Sequence, residues 1–305
     1  MKTTHNSSAT AIGVDIGGTH ITAALVDLEK GNIIGGATSR AAVDANAPAA
    51  DILDVWTSVL QGVMCKAAGS VDRIGFAMPG PFDYEKGISL IKNLHKYEAL
   101  YGLNIKELLA GRLGMDASGI RMRNDTEAYL AGEAMSGAAR GYARVIGITM
   151  GTGLGSAKSI RGITTDVNLG SSPFRDSIAD DYLSTRWFVK KYREYSGHTI
   201  YGVKELLELR QQPAGETVSK ILEEFYHNLA LFLKGFIASE NPEAVIIGGN
   251  IAEAYDLFYP PVRELLGGHA GKAAFKKAQL GEDAALIGAV SCWINRPLTN
   301  KTIVS

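Results

Sequence analysis

The chain has 305 residues, 46% hydrophobic and 21% charged, which gives room for two ordinary globular domains with sizeable cores. A net charge of -1 argues against nucleic acid or an anionic membrane as a general partner, and two cysteines cannot build a disulfide network or a thiolate metal cluster. No apolar run is long enough to span a bilayer, and residues 1–10 lack a signal peptide's layout, so a cytoplasmic location is expected.

Residues 12–16 form a short apolar run suited to a buried strand; Gly17-Gly18 break it, and residues 21–26 turn β-like again. Asp15 lies at the end of the first strand and Thr19 follows the glycines. Two glycines let a backbone approach a ligand and aim N–H groups at it. A carboxylate beside such a loop suits a phosphate when a divalent cation sits between them. An ordinary hairpin turn is the competing reading. Residues 32–37 continue as a strand. Residues 51–68 carry Ile52, Leu53, Val55, Trp56, Val59, Leu60 and Val63 at helical spacing, with Asp51 as N-cap. Cys65 and Cys292 fall in apolar helical patterns and read as reduced core thiols. Residues 73–78 are a strand ending in Pro79-Gly80-Pro81, a rigid turn at the kind of strand end where ligands gather, or else a plain connection.

Residues 87–91 read as a strand, 104–113 as a helix, and 120–123 as a strand that ends at Asn124-Asp125 before a helix over 126–135. Asp125 either caps that helix or sits at a reactive edge. Residues 144–150, the loop Gly151-Thr152-Gly153-Leu154-Gly155 and residues 156–160 repeat the layout of strand, glycine loop, strand. A dinucleotide fingerprint would need Gly or Ala where Ser156 stands, and a helix beyond it. Two similar hairpins a domain's length apart imply two related lobes, each offering a loop to one ligand in a cleft that closes on it. Residues 164–177 are irregular. Residues 179–196 are helical, with Tyr182, Trp187, Phe188 and Tyr192 as packing residues. Helices over 203–211 and 217–239 follow, the second ended by Asn241-Pro242. A strand over 244–247 leads to Gly248-Gly249-Asn250 at a helix start, a place for a nucleotide's phosphate or sugar. A strand over 273–280 and a helix over 282–294 finish the chain. The small residues Ala284, Ala285, Gly288 and Ala289 permit close packing there, expected between lobes.

In this order, Asp15-Ile16-Gly17-Gly18-Thr19, Pro79-Gly80-Pro81, Asn124-Asp125, the loop from Gly151 to Gly155, and Gly248-Gly249-Asn250 resemble the ROK family of sugar kinases and sugar-responsive repressors. The resemblance covers nearly the whole chain. It implies the α/β, two-lobed actin-like ATPase (ribonuclease H-like) fold with a ligand cleft between lobes. Residues 1–123 would form the N-terminal lobe, completed by the C-terminal helix 282–305, and residues 124–281 the C-terminal lobe. The implied activity is ATP-dependent phosphorylation of a hexose, glucokinase-like, or of an N-acetylhexosamine. Asp15 would hold Mg2+ through water, and Gly17, Gly18 and Thr19 would contact the transferring phosphate. Gly151, Thr152, Gly153 and Gly155 would hold phosphates from the other lobe, and Gly248, Gly249 and Asn250 would line the nucleoside site. Gly80, Asn124 and Asp125 would hold the sugar, with Asp125 also the general base. Such chemistry rests on positioning, a cation and charge neutralisation. The expected assembly is a cytoplasmic homodimer with no nucleic-acid or membrane partner.

The chain departs from the family pattern in two places. Glu-x-Gly-His becomes Asn168-Leu169-Gly170-Ser171, so Asn168 and Ser171 would take the sugar-facing places. The family's cysteine-rich zinc loop has no counterpart, since no cysteine lies between Cys65 and Cys292, and no zinc is expected. Asp180 is the nearest stand-in for the glutamate that ends that loop and touches the sugar. A first strand beginning by Ile12 leaves no room for the repressors' helix-turn-helix domain. Two alternatives are a sugar or nucleotide sensor without full activity and an ATPase acting on a protein. Asp15 and Asp125 argue for the kinase, Asn168 and Ser171 argue for the sensor, and no apolar peptide-binding segment argues for the ATPase.

Overall fold

The computed structural model describes residues 10–294. Its elements in chain order begin with β1 (Thr10–Ile16), β2 (His20–Asp27), β3 (Asn32–Ala42), α1 (Ala49–Met64), β4 (Ile74–Met78), β5 (Phe82–Asp83), β6 (Ile88–Ser89) and α2 (Ile105–Leu113). Next come β7 (Ile120–Asn124), α3 (Asp125–Ser136), β8 (Arg144–Met150), β9 (Leu154–Ile160), β10 (Ile163–Asp166), β11 (Pro173–Phe174) and β12 (Ser177–Ile178). The chain continues with α4 (Thr185–Ser196), α5 (Val203–Glu208), α6 (Gly215–Glu240), β13 (Ala244–Gly248), α7 (Tyr255–Leu266), β14 (Ala274–Lys277) and α8 (Asp283–Val290).

The chain divides into two compact units. Among the described residues, the first comprises 10–141, 162–164 and 282–294, and the second 142–161 and 165–281; the part of the expected C-terminal helix beyond 294 lies outside the described residues. The boundary expected at 123/124 therefore moves past α3. That helix packs on α8 of the first unit so closely that a Cβ on Gly288 would stand 1.7 Å from the Ala128 carbonyl oxygen, and one on Gly132 2.0 Å from that of Ala284. A Cβ on Gly13 of β1 would meet the Leu286 oxygen at 2.0 Å, and one on Gly75 of β4 the Ala289 oxygen at 2.1 Å. The small residues of α8 are thus spent inside the first unit, against its own sheet and α3.

There are two five-stranded sheets, in the order β3-β2-β1-β4-β7 in the first unit and β10-β9-β8-β13-β14, whose strands β9, β8, β13 and β14 build the second. In both, a glycine-closed antiparallel hairpin is extended by parallel strands: β1 pairs β2 antiparallel and β4 parallel, and β8 pairs β9 antiparallel and β13 parallel. Strands β4 and β13 are buried along their whole length, as apolar runs in a doubly covered parallel sheet must be. The first core gathers Ile12, Val14, Trp56, Leu60 and Phe76. The second is more aromatic, with Phe188, Phe225 and Phe258 almost wholly buried and Phe225 within 5.8 Å of both partner rings.

Several local expectations are revised. Helix α1 starts at Ala49 behind Pro48, so Asp51 lies in its first turn, where a negative charge suits the helix dipole, and it is not the cap. Cys65 follows the last helical residue and is exposed, because the buried face ends at Val63. Cys292 is half-buried, with its thiol pKa raised by desolvation. The helix expected over 179–196 is broken: a single 3-10 turn over Ala179–Asp181 precedes α4.

Candidate active site

The β1–β2 hairpin pairs to its tip, Asp15 opposite Thr22 and Ile16 opposite Ile21, leaving Gly17, Gly18 and Thr19 to close it. The Gly17 N–H donates to the His20 carbonyl at 2.9 Å, and the Tyr97 hydroxyl donates to the Gly17 carbonyl at 2.6 Å. Among the described residues, none has an atom within 4 Å of where a Cβ on Gly18 would stand. The fold does not require glycine there, so the open surface is available to a ligand.

Asp15 faces an accumulation of negative charge. Burial raises its pKa to about 6, with the Asp125 and Glu282 charges adding to the rise and Arg40 opposing it. Arg40 is shared, since its guanidinium donates to Glu282 at 3.1 Å. Among the described residues, no three His, Cys, Asp or Glu side chains come together to hold a metal ion. Mg2+ asks for less: one or two carboxylates suffice where water and phosphate oxygens complete its shell. A half-buried carboxylate pressed by other carboxylates fits that chemistry.

Asn124 is the residue that caps α3. Its side-chain oxygen accepts the N–H groups of Thr126 at 2.8 Å and Glu127 at 3.2 Å. Asp125 is the first helical residue, and one of its carboxylate oxygens accepts the Thr126 N–H at 2.8 Å. The capping duty weighed for Asp125 is therefore already discharged by its neighbour. The Asn124 amide also donates to the Tyr84 hydroxyl at 3.4 Å, and that hydroxyl donates to the Met78 carbonyl at 3.0 Å. A Cβ on Gly80 would stand 3.1 Å from the same hydroxyl. Tyr84 thus joins the Gly80 turn to Asn124.

In the second unit, Met150 lies opposite Leu154, and Gly151, Thr152 and Gly153 close the hairpin, while Gly155 lies inside β9 opposite Thr149. Gly249 has φ +83°, and a Cβ there would meet the Met150 backbone nitrogen at 2.6 Å and oxygen at 2.4 Å. Only glycine allows that approach. Gly248, Gly249 and Asn250 are thereby brought against the root of the loop, with Asn250 opening a 3-10 turn rather than a regular α-helix.

Asn168 and Ser171 lie together on an exposed turn, the Ser171 hydroxyl donating to the Asn168 side-chain oxygen at 3.3 Å. The turn docks on β9, where the Leu169 N–H donates to the Ser156 hydroxyl at 2.7 Å. Asp180 has other partners than those expected of a sugar contact. One carboxylate oxygen accepts the Leu154 N–H, and the other pairs with Arg186. A groove of about 750 Å³ opens beside the loop, lined by Thr152, Thr185, Arg186, Lys190, Arg193 and Tyr201 among others.

Tyr84, Tyr97 and Arg186 were invisible as site residues in the sequence. None belongs to a glycine motif, and each reaches its partner across 6 to 80 positions of chain. Tyr84 alone had a local signal, its place shortly after the Pro79-Gly80-Pro81 turn.

A family model described as "ROK family" matches residues 11–172 and 175–296. Glucokinase from Thermotoga maritima is 25% identical over 315 residues, covering 92% of this chain and 96% of the relative. N-acetyl-D-glucosamine kinase from Mannheimia succiniciproducens is 25% identical, covering 93% and 99%. Among solved structures, a ROK family glucokinase from Streptomyces griseus, in complex with glucose and AMPPNP, superposes with a TM-score of 0.73. It is 24% identical and covers 93% of this chain and 98% of that one. No helix among the described residues is long and apolar enough to cross a membrane.

Proposed function

The chain belongs to the ROK family, and we propose that it is a carbohydrate kinase that transfers the γ-phosphoryl group of ATP to a hydroxyl of a hexose or an N-acetylhexosamine. The relatives that carry those two activities in their names lend the substrate class. The observation that carries the reading is the place of Asp125 just past the end of β7, within electrostatic reach of Asp15 in the same unit. Asp125 stands at the start of α3, relieved of capping by Asn124, and its charge is felt by Asp15 at the glycine hairpin.

In this reading the sugar hydroxyl donates its proton to the Asp125 carboxylate as its oxygen bonds to the γ-phosphorus. The bond from that phosphorus to the β–γ bridging oxygen breaks, and ADP leaves. Gly80 and Asn124 line the sugar's place beside Tyr84. The N–H groups of Gly18 and Thr19 face the transferring group, while Gly17, whose N–H is spent on the His20 carbonyl, shapes the turn that presents them. Gly151, Thr152, Gly153 and Gly155 hold the donor's phosphates, and Gly248, Gly249 and Asn250 hold its nucleoside. Asp15 would hold Mg2+, which when bound neutralises phosphate charge. A coupled ADP-release assay with Mg-ATP over hexoses and N-acetylhexosamines tests this. Turnover with at least one sugar is expected, and ATP binding without turnover on any of them would reject it.

A second reading, a sugar sensor with little turnover, draws on one observation. Asn168 and Ser171 are neutral and hydrogen-bonded to each other, whereas charged partners bond hydroxyls about twice as strongly. Sugar binding by calorimetry with no ADP release would favour it.

A further inference from the structure

The loop from Gly151 to Leu154 is held by the segment from Asp180 to Arg186 at both of its ends. At one end the Thr185 N–H donates to the Gly151 carbonyl at 2.8 Å. At the other, Asp180 accepts the Leu154 N–H and pairs through its second oxygen with Arg186. Gly153 is fitted to this clasp, since a Cβ there would stand 3.0 Å from the Asp180 carboxylate oxygen. The Asp180 side chain is only 17% exposed, while that of Arg186 is 59% exposed and lines the groove beside Thr152.

We propose that Asp180 is a positioning residue for the phosphate donor, acting through the Gly151–Leu154 loop and through Arg186, and that it does not contact the sugar. The inference rests on the reading of that loop as the donor's phosphate site. A carboxylate that accepts a backbone N–H from inside the loop fixes which remaining N–H groups point outward. Because its second oxygen holds Arg186, the same carboxylate also sets the guanidinium at the wall of the groove, where a donor phosphate would meet a fork of N–H groups. Removing the carboxylate should loosen the loop and let Arg186 swing, leaving the residues of the first unit untouched.

The test compares wild type with Asp180→Asn, Asp180→Ala and Arg186→Gln. Asparagine can still accept the Leu154 N–H but loses the charge facing Arg186; alanine loses both. Hydrogen bonds to charged groups correspond to about ten- to a hundred-fold in an equilibrium. The KM for ATP, or the Kd for ADP by calorimetry, should therefore rise about ten- to a hundred-fold in Asp180→Ala and less in Asp180→Asn, with sugar affinity within about twofold. Arg186→Gln should weaken the donor in the same way. Hydrogen exchange of the peptide covering residues 150–155 supplies a readout independent of turnover. Its amides should lose protection in Asp180→Ala in the ligand-free protein while the melting curve stays cooperative. Unchanged protection, or a loss of sugar affinity with donor affinity intact, overturns the proposal. A wild type that binds no nucleotide, with the loop still deprotected in Asp180→Ala, would reject the kinase reading and keep only the clasp's structural half, overturning the donor role.

Discussion

The two glycine hairpins share a topology and differ in where their carboxylate comes from. In the first, Asp15 is part of β1 itself, one residue before the strand ends. At the matching place of β8 stands Thr149, and the carboxylate comes from Asp180, 26 residues after Leu154. Asp15 is pushed toward neutrality by burial and by other carboxylates, with the shared Arg40 the one charge opposing them among the described residues. Asp180 is satisfied on both oxygens within its own unit. One hairpin therefore keeps an electrostatic demand for a cation, while the other has met its demand from its own chain. A carboxylate under strain of charge is the better candidate for ligand chemistry, and a satisfied one for architecture.

The largest effect expected on this contrast is at Asp125, the charge that presses on Asp15. Asp125→Asn should lower kcat by about 10²–10⁴-fold if it removes the general base. Stability should barely move, because Asn124 holds the α3 cap. Turnover within a few-fold of wild type would remove Asp125 from the chemistry.

Asp15 gives the next effect. Its folded-state pKa of about 6 lies above the ordinary value of 3.8. The folded protein thus binds this proton more tightly than the unfolded chain does. The penalty is absent below about pH 4, grows as pH rises to about 6, and is complete above it, at about 3 kcal/mol. Asp15→Asn should accordingly stabilise the protein at pH 7.5 in chelator, by up to about 3 kcal/mol, and leave it unchanged at pH 4. The same variant should lose Mg2+-dependent turnover. Denaturant melts at the two pH values decide it; equal stability of variant and wild type at pH 7.5 would show that Asp15 carries no such charge strain.

The units also differ in how closely their helices approach. Alanine at Gly288 would drive a methyl into the Ala128 carbonyl, and overpacking of this kind costs about 1–3 kcal/mol. In α6 of the second unit, a methyl on Gly235 would meet no atom of the described residues within 4 Å, so alanine there should stabilise by about 0.4–1 kcal/mol. Opposite signs in thermal melts would confirm that close approach is a property of the α3–α8 pair. A neutral Gly288→Ala would show that the two helices can part at little cost.

The strands and most helices were legible because burial imposes period and length on them. The apolar runs of β1, β4, β8 and β13 sit between glycine breaks, and α6 shows its buried face in the spacing of Val218, Ile221, Leu222, Phe225 and Leu229. What failed was set by single contacts. Asp51 and Asp125 both had the composition of caps, yet caps depend on where the first helical φ/ψ falls, and Pro48 and Asn124 take those places. The lobe boundary failed because α3 belongs with a helix some 150 positions later in the chain, and packing of small residues leaves no long-range signature in one sequence. The partners of Asp180, a backbone amide 26 residues back and an arginine 6 residues on, left no local pattern either. Glycine motifs were legible as loops, but the sequence could not separate Gly249, required by a positive φ and the Met150 backbone, from Gly18, which nothing described in the fold requires.

The smallest effect tests how the first hairpin is held. Its tie is neutral: the Tyr97 hydroxyl donates to the Gly17 carbonyl, where the second hairpin uses the carboxylate of Asp180. Burial pushes the Tyr97 hydroxyl's pKa up to about 12, with the Asp15 charge adding to it, so it remains a neutral donor throughout the pH range of any assay. The ring is fixed independently, fully buried and edge-on to Trp56 at 5.6 Å, so Tyr97→Phe should keep its packing and lose only the bond. A neutral hydrogen bond of this type contributes about 1 kcal/mol, against about 1.5–3 kcal/mol for one to a charged group. Tyr97→Phe should therefore destabilise by about 1 kcal/mol and slow turnover by less than about tenfold. Asp180→Ala should loosen its own hairpin more. Hydrogen exchange over residues 14–20 in Tyr97→Phe and over 150–155 in Asp180→Ala puts the two ties on one scale. If the tyrosine variant loses as much protection as the aspartate variant, the distinction between a neutral tie and a charged one does not govern these loops.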